Sequence, residues 1–257
     1  MPPAAGTGSL TAAQWFTALS AWEVMALGLV FFSLLYVGGG VLMGALTSGL
    51  ARLGRGHTLD ERPLTRAQLH AEWRQSFHSI LIFGTGMIVP WGFVQVGWAQ
   101  FAEQAGALRM ALEVAVLMIW NDVHFWINHR LLHTRALMRF HRDHHRSVRT
   151  TPWSTYSFHP VEALMLGNVI LLPMVVHDFH FWSLAAVPVL SLLLNVVGHS
   201  NYEFFPSVSD THPLAASRRH HLHHHRPQGN FGFALAFMDR LMHTSAASRS
   251  DTRHRVP

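Results

Sequence analysis

Three histidine clusters carry whatever chemistry this chain performs. "HRLLH" sets His129 and His133 four residues apart, and "HRDHH" sets His141, His144 and His145 at i, i+3 and i+4. "HHLHHH" offers a second triple in two frames, His220/His223/His224 or His221/His224/His225. Residues three and four apart share one face of a helix, so each cluster aims its imidazoles in one direction. A pair and two triples exceed what a single ion takes in four- or six-coordinate sites. Two ions, each with about four nitrogens and an open position, fit the number of rings. A single HxxxH is a weak signal for metal and a histidine tract alone is often adventitious; three clusters of helical spacing point to a built site. The chain has no cysteine, which excludes thiolate ligation and disulfides and leaves histidine and carboxylate as ligands.

The elements that must position these rings are apolar. Hydrophobic residues make up 49% of the 257 and charged ones only 13%, too apolar a balance for a soluble domain. Val24–Ala51 and Gln75–Ala102 lack Asp, Glu and Arg and exceed the roughly 20 residues that span a bilayer. A third helix is expected over Met110–Asn128. Ala163–Val176 and Phe181–Gly198 read as a hairpin that enters the bilayer and returns, or crosses twice. Arg52, Arg55, Arg62, Arg66 and Arg74 assign the first connection to the cytoplasm, and Arg130–Arg149 follows on the same side. The hairpin then delivers His199 and the five-histidine tract to that face. Residues 1–22 have no basic n-region, so no cleavable leader is expected. The absence of Lys suggests a bacterial coding bias and a bacterial inner membrane. The net charge of +5 sits beside membrane segments and speaks for orientation, not nucleic acid. "GGGVLMG" (Gly38–Gly44) has the wrong spacing for a nucleotide loop and reads as close helix packing.

Asp122 lies seven residues before His129 and eleven before His133, on one helical stripe, where a carboxylate could accept a ring N–H and fix its tautomer. Glu162, Asp143 and Asp239 are candidates for the same work, with solvation or an Arg240 contact as competing roles for the last two. His124 points off the stripe and suits packing or a cavity. His57, His70, His243 and His254 read as surface or interface residues, and His78, His177, His180 and His212 as structural.

The motifs from Asp122 to Leu241 resemble the fatty acid hydroxylase/sterol desaturase superfamily, nearest the sterol C4-methyl oxidase and C5-desaturase branch. They run "DVHFWINHRLLH", "HRDHH", "FHPVE", "GHSNYEF" and "HHLHH…GNFG…MDRL". The resemblance implies an all-α fold: a polytopic membrane helical bundle with a cytosolic helical cap holding a dinuclear histidine-rich metal site. It selects the frame His220/His223/His224, adds His199, and brings His159 of the HPVE motif into the ligand set; Asn195 stands where some relatives have a further histidine. The expected organisation is N-terminal membrane helices over 1–109, a catalytic domain over 110–244 that includes the hairpin at 163–198, and a disordered tail over 245–257.

None of the clusters contains the Glu base of an HExxH hydrolase. A nearly all-nitrogen pair of sites with open positions suits two iron ions (zinc can replace them in preparations) and O₂ as co-substrate, acting on an unactivated C–H bond. The membrane setting implies a lipid reaching the metals laterally, past Trp120, Phe125, Trp126, Trp153, Phe158 and Phe181. With no flavin, haem or nicotinamide motif, electrons are expected from a separate reductase and a ferredoxin or cytochrome b5-like carrier. Arg139, Arg142, Arg146 and Arg149 either dock that carrier or meet lipid headgroups. The rival reading is a membrane metal-ion transporter or metal-binding protein, which would string its histidines along the membrane pathway.

Overall fold

The computed structural model describes residues 10–246; most of the expected disordered tail therefore lies outside the described residues. The fold is a polytopic all-α bundle carrying a helical cap. Among the described residues, four helical stretches are long and apolar enough to cross a membrane: Ala21–Arg52, Arg66–Gln95, Ala107–Leu132 and Phe181–Gly198. A short helix α1 (Ala12–Ala18) precedes them, begun by a capping box in which Thr11 and Gln14 each bond the other's backbone. Ser20 and Glu23 repeat that device at the start of α2 (Ala21–Arg52). Leu34, Val37, Val41 and Leu42 of α2 are exposed, as side chains that face lipid would be.

The second run is not one helix from Gln75 to Ala102. It begins earlier, as α3 (Arg66–Gly86), and restarts after Met87 as α4 (Ile88–Gln95). Pro90 sits in the first turn of α4, where its missing N–H costs nothing, whereas it would break a continuous helix. α2 and α3 approach closely at two glycines. A Cβ on Gly28 would stand 2.3 Å from the Gly84 carbonyl oxygen. In the GGG segment Gly39 lies against Leu192 and Gly40 against the Trp153 ring, while Gly38 and Gly44 face open space.

α5 (Ala107–Leu132) outruns its expected end at Asn128 by about a turn and so carries His129 at its tip. α6 (Met138–His145) follows. The hairpin comprises α7 (Pro160–Gly167), α8 (Leu171–Val176) and α9 (Phe181–Gly198). Pro173 cannot donate to the carbonyl of Val169, four residues back, and the Trp120 indole takes that carbonyl at 2.7 Å. The first arm is thus broken at 168–170 but still traverses the bundle. The carbonyl of Phe179 accepts the Ala102 N–H, and that of Asp178 the Arg109 guanidinium, at the end opposite the histidines.

The cap is completed by α10 (Ala216–His225), α11 (Phe237–Leu241) and a two-stranded antiparallel ribbon. In the ribbon β1 (His57–Thr58) pairs with β2 (Tyr202–Glu203). A carboxylate the sequence reading passed over ties cap to bundle. Glu72 of α3, 1% exposed, accepts from Ser147 at 2.7 Å, Thr151 at 2.6 Å and Gln68 at 2.8 Å. Those bonds hold the segment after α6 in a polar pocket that would otherwise leave a buried charge unpaired.

Candidate metal centre

Four chain segments meet at one end of the bundle. α5 carries His129 in its last turn with His133 as its C-cap, α6 presents His141, His144 and His145, α9 has His199 as its C-cap, and α10 presents His220, His223 and His224. Their ring nitrogens sort into two groups. His129, His133, His141, His145 and His223 form one, and His144, His199, His220 and His224 the other, with donor atoms within 4.8 Å of one another in each. The groups adjoin, since the His145 and His224 ring centroids are 4.8 Å apart.

Tautomers decide what these groups want. Five rings have Nδ1 committed to a pure acceptor. His129 donates to the Phe231 carbonyl at 2.8 Å, His223 to that of Gly229 at 2.7 Å and His141 to the Glu162 carboxylate at 2.8 Å. His199 donates to the Asn195 carbonyl at 3.0 Å and His144 to that of Ser157 at 3.3 Å. Carbonyls cannot donate, so on the four carbonyl-bonded rings the proton resides on Nδ1 and Nε2 bears a bare lone pair; an ionised Glu162 fixes His141 in the same way. Yet Nε2 of His129 and of His141 stand 3.1 Å apart, and those of His144 and His199 3.3 Å. Two lone pairs facing each other at that distance share no hydrogen bond; a cation between them satisfies both.

The remaining electrostatics agree. Burial, then the neighbouring imidazoles, push His144, His220 and His224 well below the ordinary histidine range. Burial also brings His133 to about 3, and His199 and His223 to about 4. The rings are neutral, the form that ligates metal. Contacts of 3.0–3.2 Å link the nitrogens of the five-membered group. With metal–nitrogen bonds of about 2.1 Å, a spacing of about 3.0 Å corresponds to ligands at right angles and about 3.4 Å to a tetrahedron. The donor set therefore fits a metal of coordination number above four.

The supporting carboxylates divide differently from expectation. Glu162 holds the His141 ring. Asp122 touches no imidazole: its Oδ1 accepts the backbone N–H groups of Ala234 and Leu235 at 3.0 and 3.1 Å. Asp239 also acts through backbone. Its Oδ1 accepts from Phe231 N–H (2.9 Å), Trp126 (3.2 Å) and Thr244 (2.6 Å), and its Oδ2 from Gly232 N–H (2.7 Å). This fixes the loop whose carbonyls orient His129 and His223. Asp143 pairs with Arg146 at 2.9 Å. His159 lies outside both groups: as N-cap of α7 its Nδ1 accepts from Val161 N–H at 3.1 Å. His180 and His212 cap the next segments the same way. His124 bonds Asn168 at 2.8 Å and lines a cavity; His254 lies outside the described residues.

That cavity is apolar and measures about 470 Å³, within the range of small-molecule sites. Phe16, Phe101 and Phe181 close it at the far end, with ring centroids 5.4–6.3 Å apart. At the histidine end Phe125, Phe158, Leu166 and Asn195 are shared with a narrow gap that reaches His129, His141, His144, His199 and His220. Of the expected aromatic lining, Phe125, Phe158 and Phe181 are in place. Trp120 and Trp126 are spent on hydrogen bonds to Val169 and Asp239, and Trp153 packs on Gly40 and Tyr36. Arg139, Arg142 and Arg146 are exposed on the cap, while Arg149 is half-buried.

A family model described as fatty acid hydroxylase matches residues 114–244. A C-4 methylsterol oxidase of Schizosaccharomyces pombe is 28% identical over 144 residues, 53% of this chain and 48% of that protein. A very-long-chain aldehyde decarbonylase of Oryza sativa is 30% identical over 143 residues, 54% of each chain. Methylsterol monooxygenase 2-2 of Arabidopsis thaliana is 28% identical over 146 residues, 55% of each. The chain spans about half the length of these relatives, and all three are eukaryotic, which lends no support to a bacterial source. No solved structure matches.

Proposed function

Because the chain belongs to the fatty acid hydroxylase family, we propose that it is a membrane oxidoreductase that uses two iron ions and O₂ to hydroxylate or desaturate an unactivated C–H bond of a lipid. His129, His133, His141, His145 and His223 would hold one ion, and His144, His199, His220 and His224 the other. Bound iron would supply O₂ activation. The protein's own part is to keep nine imidazoles neutral and aimed, to hold the Nδ1 protons of five of them on carbonyls and Glu162, and to keep water from an apolar channel. The single observation that carries this reading is the apolar cavity, which runs up to Phe125, Phe158, Leu166 and Asn195, the residues that also wall a narrow gap lined by His129, His141, His144, His199 and His220. A lipid chain lying in it would bring one carbon to the metals and leave the rest among Phe, Leu and Val side chains, where burial is worth about 25 cal/mol per Å².

We place the catalytic unit in residues 110–244 and the histidine end on the cytoplasmic side, supported by the exposed Arg139, Arg142 and Arg146 beside it. The same arginines would meet an acidic ferredoxin or cytochrome b5-like carrier. A transport role fits less well, because the nine histidines gather at one end and the path through the bundle is apolar. Metal analysis of the purified protein, with lipid-dependent O₂ uptake under a chemical reductant, tests the proposal. Two irons per chain and uptake that requires both lipid and reductant are expected. Transmembrane zinc or nickel flux without O₂ uptake would overturn it.

A further inference from the structure

Two members of the five-histidine tract are not used by the paired groups. His221 and His225 stand four residues apart on α10, with ring centroids 4.5 Å apart. Opposite them, in the connection between α2 and α3, lies Asp60; the three residues bring one donor atom each within 4.8 Å of one another. His225 Nε2 is 3.6 Å from Asp60 Oδ2. Asp60 and His221 are each 8% exposed, and His221 Nδ1 is buried with no hydrogen-bond partner. The segment bearing Asp60 is firmly placed. The Asn201 side chain accepts from the Asp60 N–H and donates to its carbonyl, both at 2.9 Å, beside the β1–β2 ribbon.

Two imidazoles at helical i, i+4 spacing plus a carboxylate make a donor set that borderline divalent ions take readily. Asp60 already receives the Arg62 guanidinium on both oxygens and the Arg62 N–H at 3.0 Å, and that guanidinium lies 3.5 Å from His225 Nε2. The Arg62 side chain is 56% exposed, so it can turn into water without burying charge. Guanidinium and divalent cation are thus alternative partners for one carboxylate.

We propose that Asp60, His221 and His225 form a further, structural site for a zinc-type divalent cation, which clasps the 57–62 segment to α10. The clasp would steady the helix that presents His220, His223 and His224. It does not depend on the lipid-oxidising reading.

The test uses the full-length protein with whatever metal its paired groups hold. Protein is equilibrated with zinc and freed of excess, and total metal per chain is counted by mass spectrometry. The unaltered protein should carry one ion more than His225→Ala or Asp60→Asn. Arg62→Ala removes the competing cation and should bind that extra zinc roughly tenfold more tightly. Equal metal in the unaltered protein and both ligand variants overturns the proposal, as does Arg62→Ala binding zinc no more tightly. Should the ligand variants lose all their metal through misfolding, the direction of the Arg62→Ala shift decides alone.

Discussion

Asp239→Asn isolates what the loop after α10 does for the five-nitrogen group. The least damaging amide rotamer keeps oxygen toward Phe231, Trp126 and Thr244 and turns its NH₂ toward Gly232. One charge-assisted bond of 2.7 Å then becomes two donors facing each other, a loss of about 1.5–3 kcal/mol. The strain falls on the stretch whose Phe231 and Gly229 carbonyls hold the Nδ1 protons of His129 and His223. Loosening a partner of a metal-bound histidine typically weakens metal binding about 10–100-fold, or about 1.4–2.7 kcal/mol, the same size as the lost bond. The four-nitrogen group takes its ring partners elsewhere, His144 from Ser157 and His199 from Asn195, and should keep its ion. A graded chelator titration with metal counting reads this directly: one ion leaves Asp239→Asn at about a tenth or less of the usual chelator strength, and the second leaves as in the unaltered protein. Equal weakening of both ions, or of neither in a folded variant, refutes the argument.

Other outcomes follow from the same geometry. His144→Ala should lose lipid turnover and bound metal together, and full retention of both would remove His144 from the centre. In metal-free protein, burial holds His199 and His223 at about 4, so the unfolded chain binds more protons than the folded one between about pH 6.5 and 4. Stability must then fall with pH across that window, by about 3 kcal/mol per ring; denaturant melts showing flat or rising stability would contradict it. Gly28→Ala sets a methyl 2.3 Å from the Gly84 carbonyl and should destabilise the bundle by about 1–3 kcal/mol. Gly44→Ala, which meets nothing within 4 Å, should be neutral or mildly stabilising in the same thermal melt.

Much of the centre was legible because its signal is local. Within the 141–145 triple, spacing alone sets the direction of the rings; in the 220–225 tract it left two frames, and the family resemblance chose His220/His223/His224. His199 is a single residue, and nothing around it in the chain announces a partner; the family resemblance supplied it. The misplaced residues fail for a different reason. His159 precedes a proline that opens a helix, and an imidazole there is drawn to the free N–H of Val161. The helical stripe put Asp122 near His129 and His133, but a stripe cannot say what loop lies opposite, and the backbone of Ala234 and Leu235 claims the carboxylate. Glu72 sat among Arg66 and Arg74 in a stretch that reads as a charged connection, and the break at Met87 lay inside a long apolar run, where hydropathy reads composition and not the proline positions that end a helix. Trp120 and Trp126 were expected at the cavity because aromatic type was visible while the unmet carbonyl of Val169 and the carboxylate of Asp239 were not.

Helices α6 and α10 each contribute to both nitrogen groups: His141 and His145 to one and His144 to the other, His223 to one and His220 and His224 to the other. Neighbouring residues on a rigid rod cannot slide past each other, so the separation between two bound ions is set by covalent chain geometry and not by adjustable contacts. Any tilt of either rod would carry both ions along together. Moving α6 or α10 would therefore disturb both nitrogen groups at once, whereas α5, with His129 and His133, and the end of α9, with His199, each serve one group alone.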